Sequence, residues 1–248
     1  MHTQYRHKFA AISSAAALVV LGLIIVRPKV HAAPVSSGGI TGVIKLDGVA
    51  PHQKPIDMSK EPSCAAQHKD KPVTTESVVV GTGGGLANVV IYISQGLNGT
   101  EAATVPPEVA SITQKGCQYL PHVVVVDAGQ HMKVINSDQT SHNIHPQPTK
   151  NPEWNKSQPQ GAPPFDVTWA NEEIAVPVKC NIHPWMHGYV AVVKGPYAIT
   201  DDSGSFNLNV PPGTYTITAW QETYGSQTQN ITVAAGKPAT ANFTFKAK

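Results

Sequence analysis

Within eight residues the chain carries Cys180, His183, Met186 and His187. A thiolate, an imidazole and a thioether form a soft donor set, of the kind that holds copper in both of its common oxidation states. Residues three apart on a tight loop between two strands can fold over one point and converge on one atom. His187 adds a second imidazole beside Met186, so two residues compete for a fourth position, and a His there favours a harder, more tetragonal site. Cys180 with three imidazoles would equally satisfy a tetrahedral zinc site.

The elements that must position these residues are legible around them. From Glu172 to Val193 the sequence reads EEIAVPVKCNIHPWMHGYVAVV. Ile174, Val176 and Val178 alternate with other residues as a half-buried strand does, and Val190, Val192 and Val193 mark a second strand after a turn at Gly188. Upstream, Val134-Ile135-Asn136-Ser137-Asp138 reads as a strand ending in turn residues. Ser141-His142-Asn143-Ile144-His145 follows it and offers the imidazole that completes a His₂Cys plane with a long axial Met. Isolated histidines are usually surface or satisfied core, so His52, His68, His122 and His131 are given no role.

Cys180-Asn-Ile-His183-Pro-Trp-Met186 resembles the short copper loop, C-x₂-H-x₂-M, of the amicyanin and plastocyanin group of cupredoxins. His142-Asn-Ile-His145 resembles the H-N-V-H segment that carries the upstream ligand of that group. Tyr119 to Gly129 and on to Asp138 resembles the hairpin that precedes it. The similarity spans about residues 109–195. It implies a Greek-key β-sandwich holding one type 1 copper through His142, Cys180, His183 and Met186, with His187 as the alternative fourth ligand and His145 facing away. It also implies an electron carrier rather than an enzyme, with an exposed His183 edge as the electronic exit and Pro184 and Trp185 on an apolar docking rim. The remaining ring N–H of His142 should meet a carbonyl or carboxylate that fixes its orientation. Met186 is the expected axial ligand, because consecutive residues entering a strand point to opposite sides and His187 then turns away.

Three cysteines make an odd number, which needs a reason in an oxidising compartment. Pairing Cys64 with Cys117 leaves Cys180 as the lone thiol, which metal or burial must protect. Export is suggested by Arg6, His7 and Lys8 ahead of an apolar run from Phe9 to Val26, with a small-residue cleavage site at Val30-His31-Ala32. The run has 18 residues, close to the minimum for a membrane span, so residues 1–33 are read as a signal peptide or a retained anchor helix. Either way the rest is expected to be periplasmic or otherwise exported. Four of the 18 Lys and Arg residues (Arg6, Lys8, Arg27 and Lys29) precede residue 30, and the remainder is slightly acidic. No basic stripe is left for a nucleic acid.

Gly and Pro are frequent, charged residues make up 14 %, and Val, Ile and Thr recur in short runs, so the fold class is all-β. Beyond Gly195, Phe206, Leu208 and Val210 alternate, as do Tyr215, Ile217 and Ala219, with turns at Asp201-Asp-Ser-Gly204 and Pro211-Pro-Gly213. The run from Thr200 to Tyr215 resembles the carboxypeptidase regulatory-like, transthyretin-type β-sandwich. Gly39–Leu46 and Leu86–Ile93 resemble its opening and next core strands. The expected layout is nested, with a discontinuous sandwich from 38–95 and 196–248 and the copper domain at 105–195 inserted in it or flanked by it. Gly81-Thr-Gly-Gly-Gly85 precedes a strand, not a helix, and is read as a turn rather than a phosphate cradle. Pro146 to Pro164 is read as a long surface loop. The leading function is one-electron carriage to a redox partner such as a cytochrome or dehydrogenase. The alternative is an extracytoplasmic binding module for carbohydrate or another cell-surface ligand, with a structural or vestigial metal site. An exposed aromatic platform around Trp220 and Tyr224 would favour it.

Overall fold

Short β-branched runs separated by Gly, Pro and Asp turns become strands throughout the computed structural model, which describes residues 38–99 and 109–248. The expected signal or anchor, residues 1–33, lies outside the described residues. Among those described, no helix is long and apolar enough to cross a membrane. The first half runs β1 (Gly38–Asp47), a short helix α1 (Pro62–Gln67), β2 (Val90–Gln95), β3 (Ala110–Lys115), β4 (Gln118–Leu120), β5 (Val123–Asp127), β6 (His131–Asn136), β7 (His142–Pro146) and β8 (Lys156–Gln158). The second half runs β9 (Phe165–Thr168), β10 (Glu173–Lys179), β11 (His187–Val193), β12 (Tyr197–Ile199), β13 (Ser205–Val210), β14 (Gly213–Gln221), β15 (Gly225–Val233), β16 (Pro238–Thr240) and β17 (Phe243–Lys246). The fold is all-β.

Two sheets join the ends of the chain. One has the order β13-β1-β16, with β17 also paired to β1, and the other runs β12-β2-β14-β15. Strict alternation on β13 turns Phe206, Leu208 and Val210 inward and leaves Ser205, Asn207 and Asn209 in water. With Ile40, Ile44, Ile91, Ile217 and Phe243 they fill one core. The middle of the chain makes the other two sheets, β5-β11-β10-β7-β8 and β4-β3-β6-β9. Ile112, Tyr119, Val134, Ile144, Trp169, Val178 and Val190 lie among the side chains of a second core between them.

The four consecutive valines of β5 show how the two halves are joined. Val124 and Val126 enter the second core, whereas Val123 and Val125 enter a third cluster with Val90, Ala191, Val193 and Trp220. β11 divides in the same way, with Val190 and Val192 on one side and Ala191 and Val193 on the other. Both strands are thus buried on two faces, which is why they read as continuous apolar runs. Trp220 is buried here with its ring 5.2 Å from that of Tyr189, and Tyr224 packs on Phe245. Neither belongs to an exposed aromatic platform.

Several local expectations change. Ile174 is not in phase with Val176 and Val178: Ala175 sits at φ 66° in a bulge on β10, which turns Ile174 to the junction while the valines stay in the second core. β5 and β6 lie in different sheets, so the segment from Tyr119 through Gly129 to Asp138 turns a corner and is not a hairpin. The strand expected from Leu86 begins at Val90, because Asn88 at φ 58° interrupts it. Gly188 is no turn either. It pairs with Val178 inside β11, and a Cβ there would stand 2.8 Å from the His122 carbonyl oxygen.

The Pro146–Pro164 segment is tied down by β8 and by Glu173. The Glu173 carboxylate accepts hydrogen bonds from the N–H and hydroxyl of Thr149, from the Lys150 N–H, and from the backbone and side chain of Asn151. Burial works to raise its pKa, but these donors outweigh burial and hold it below the ordinary glutamate range. Glu173 therefore contributes stability that is present above its unfolded value of about 4.3 and is lost as pH falls through the lower folded value. Thermal unfolding of Glu173→Gln should show a flatter acid limb below about pH 4.3 than the parent protein. Parallel acid limbs would mean that the carboxylate contributes nothing.

Candidate metal centre

β10 and β11 are joined by residues 180–186, and the Lys179–His187 pair closes the base of that loop. The loop is fastened to itself. The Cys180 N–H donates to the Met186 carbonyl at 3.1 Å, the Met186 N–H to the His183 carbonyl at 2.9 Å, and the His183 N–H to Cys180 Sγ at 3.4 Å. Cys180, His183 and Met186 are all buried, and Met186 shares the second core with Cys180.

His142, the first residue of β7, is brought over this loop because β7 pairs with β10. Its Nδ1 lies 2.9 Å from His183 Nδ1, and His183 Nδ1 lies 3.8 Å from Cys180 Sγ. Each of the three residues has a ligand atom within 4.8 Å of those of the other two. Two imidazole nitrogens and a thiol sulfur thus face one buried point, and Met186 is buried in the same core as that sulfur. The ring partner expected for His142 is Asp138, whose carboxylate accepts from Nε2–H at 2.8 Å. That bond leaves Nδ1 as the nitrogen turned to the thiol, and it fixes the ring orientation as carboxylates do behind metal-binding histidines.

Asp138 is anchored by the β3–β4 turn. Gly116 at φ 63° and Cys117 at φ 52° form a two-residue hairpin turn, and both N–H groups donate to the Asp138 carboxylate at 2.8 and 2.7 Å. Cys117 is joined by a disulfide to Cys64 of α1. Asn143 is the other positioning residue. Its side-chain oxygen accepts from the Asn181 N–H at 2.6 Å and lies 3.3 Å from Cys180 Sγ, while Tyr119 O–H donates to its carbonyl. An asparagine inside a strand, next to His142, was the available sequence signal for that role.

The electrostatics favour a cation. Burial opposes ionisation of Cys180, but the His142 ring and nearby hydrogen bonds outweigh burial and lower its pKa. Burial would lower His142, yet Asp138 and Cys180 carry the net shift upward. Burial and the neighbouring His142 both lower His183. The N₂S donor set, with Met186 buried on the same loop, fits copper.

The other candidates fall elsewhere. His187 does not join the group: its Nδ1–H donates to the Trp185 carbonyl at 3.1 Å, and it lies with His122 and Glu222. His145 is held by Glu153 and by Asn181. The His183 edge does not reach the surface. The ring is 1 % exposed, and Glu61 Oε2 stands 4.0 Å from its Nε2, because the disulfide fastens α1 and its leading residues close to the site. Asn181, Ile182 and Pro184 are the exposed residues of the loop rim, and Trp185 is half-buried, its Nε1–H donating to the Cys117 carbonyl.

Residues 190–246 match the carboxypeptidase regulatory-like domain. This stretch runs from within β11 to β17, and β1 and β2 pair with its strands from outside it. No curated protein gives a significant sequence match. Among solved structures, a Cu-containing nitrite reductase from Thermus scotoductus is 17 % identical over 40 % of this chain and 25 % of its own, with a TM-score of 0.32. The chain therefore spans about a quarter of that enzyme. A purple cupredoxin from Nitrosopumilus maritimus is 21 % identical over 34 % of this chain and 99 % of its own, with a TM-score of 0.29. Amicyanin from Paracoccus versutus is 19 % identical over 42 % and 97 %, with a TM-score of 0.31.

Proposed function

We propose that this chain is an exported single-copper electron carrier, with His142, Cys180 and His183 as equatorial ligands and Met186 as the weak axial one. The observation that carries the reading is the convergence of two imidazoles and the lone thiol at one buried point. Copper, when bound, supplies a one-electron couple. The chain supplies fixed donors: Asp138 holds the His142 ring, Asn143 holds the loop, and the two-faced burial of β5 and β11 keeps the scaffold still. The Cys64–Cys117 disulfide supports an oxidising, periplasmic-type compartment. Ile182, Pro184 and Trp185 form a small rim suited to a transient partner such as a cytochrome or dehydrogenase. The layout proposed with this function is a copper domain at 105–195 inserted in a sandwich made from 38–95 and 196–248.

Full-length protein titrated with Cu(II) should gain an intense visible absorption, with a reversible one-electron wave. A colourless protein that keeps zinc in preference to copper would refute the reading. Met186→Leu should retain the colour and raise the reduction potential, because losing a weak donor disfavours the oxidised ion. A tenfold change in the affinity ratio of the two copper states is worth about 59 mV, and a rise of at least that size is expected. His187→Ala, measured free of other metals, should change neither spectrum nor potential. The opposite pattern would make His187 the ligand.

A further inference from the structure

We infer a second metal site, separate from the first and independent of its reading, at the junction of the two halves. It is formed by His122, His187 and Glu222 and takes a divalent cation of the zinc class. His122 lies on the corner leading into β5, His187 opens β11, and Glu222 follows β14. Each offers a ligand atom, and these lie within 4.8 Å of one another. His122 Nε2 and Glu222 Oε2 are already 2.9 Å apart. Donors bound to one tetrahedral zinc at 2.0–2.2 Å stand roughly 3.3 Å from each other, so this edge needs little adjustment.

Two further observations point to a ligand rather than to a closed ion pair. Glu222 Oε1 is buried and has no hydrogen-bond partner, on a side chain only 6 % exposed. A carboxylate oxygen left unpaired in a buried position is costly, and coordination would satisfy it. His187 is pre-set for metal as well. The Trp185 carbonyl can only accept, so Nδ1 carries the proton and Nε2 keeps its lone pair, the arrangement that backbone carbonyls impose on metal-binding histidines. The His187 ring stands at 87° to that of His122, with centroids 5.1 Å apart. Both rings, but not Glu222, line a narrow cleft that admits about one water-sized sphere, ≈ 10 Å³, with Glu76, Trp185 and Met186 also on its wall. Two nitrogens and one carboxylate make a three-ligand set that leaves the fourth tetrahedral position to a water.

Gly188 builds this proximity. Its lack of a side chain lets β11 approach the His122 carbonyl, which accepts the Tyr189 N–H at 2.9 Å, and so sets His187 beside His122. A cation here links both sandwiches across their apolar junction.

The test is equilibrium dialysis of the full chain against zinc, with cobalt(II) as a spectroscopic probe. Cys180→Ser removes the thiolate from the other site, and that variant should still retain one equivalent of zinc. Its cobalt complex should show weak visible bands and no thiolate charge-transfer band. Adding Glu222→Gln should lower the zinc affinity at least tenfold, and His122→Gln should do the same if Glu222→Gln folds poorly. Cys180→Ser protein that is folded yet holds no zinc would overturn the site, as would Glu222→Gln or His122→Gln protein that binds like its parent. Failure of copper to colour the wild-type protein would leave this result untouched, so the two readings fail separately.

Discussion

Copper-loaded Cys180→Ser protein should be colourless, whereas the parent shows an intense visible band from sulfur-to-copper charge transfer. Cys180 is the one free thiol, and it lies 3 % exposed beside the rings of His142 and His183. Its sulfur is the softest donor in the group, so its loss should also weaken Cu(I) binding more than Cu(II) binding. The hydroxyl is close enough in size to keep the loop closed, since the His183 N–H and Asn143 Oδ1 can still bond to it. Near-ultraviolet circular dichroism and thermal unfolding should therefore change little in the metal-free state. An unchanged visible band would place the chromophore elsewhere and return Cys180 to the role of a small buried hydrophobe.

What the sequence made legible is what lies close along the chain. The all-β class follows from period-two patterns such as Phe206, Leu208 and Val210, whose burial alternates in β13. Cys180, His183 and Met186 stand out because three donors at three-residue spacing share one loop. β5 shows where this kind of reading stops. Four successive valines announce burial but do not say that alternate members face two different cores. Ala175 shows the same limit at one residue: no local pattern marks an alanine at φ 66°, and the bulge reverses the side to which Ile174 points.

The unread part of both candidate sites is non-local. His122 looks like an isolated histidine until β5 and β11 pair in parallel and set it beside His187. Glu222 lies 100 positions from His122 and reaches it only through the junction. The burial of His183 has a similar origin, because Glu61 belongs to a segment fastened to the β3–β4 turn by a disulfide. Each of these residues acquires its role from an element distant in sequence.

Asp138 concentrates three such dependences in one carboxylate, so its removal should be the most damaging change outside the ligands. Oδ1 accepts from Gly116 N–H, and Oδ2 accepts from both Cys117 N–H and His142 Nε2–H. The side chain is 1 % exposed, so water cannot easily replace it. Burial pushes its pKa up, but His142 and the two turn donors more than offset this and keep it below the usual carboxylate range. Asp138→Ala strands two buried N–H groups and frees the His142 ring. Hydrogen bonds to a charged group contribute about 1.5–3 kcal/mol each, and non-additivity brings the expected loss of stability to about 3–4 kcal/mol. Copper affinity should fall by about 10–100-fold, the usual effect of losing the carboxylate behind a ligand histidine. Asp138→Asn separates the two roles. With its oxygen at the Oδ2 position, the amide still serves Cys117 and His142 but turns an NH₂ towards the Gly116 N–H. That variant should lose about 1–2 kcal/mol through the one donor-against-donor contact, while keeping most of its copper affinity. Chemical denaturation and competitive copper titration of both variants read the two effects independently. Equal copper affinity in Asp138→Ala and the parent would show that the turn, and not the histidine, is what Asp138 serves.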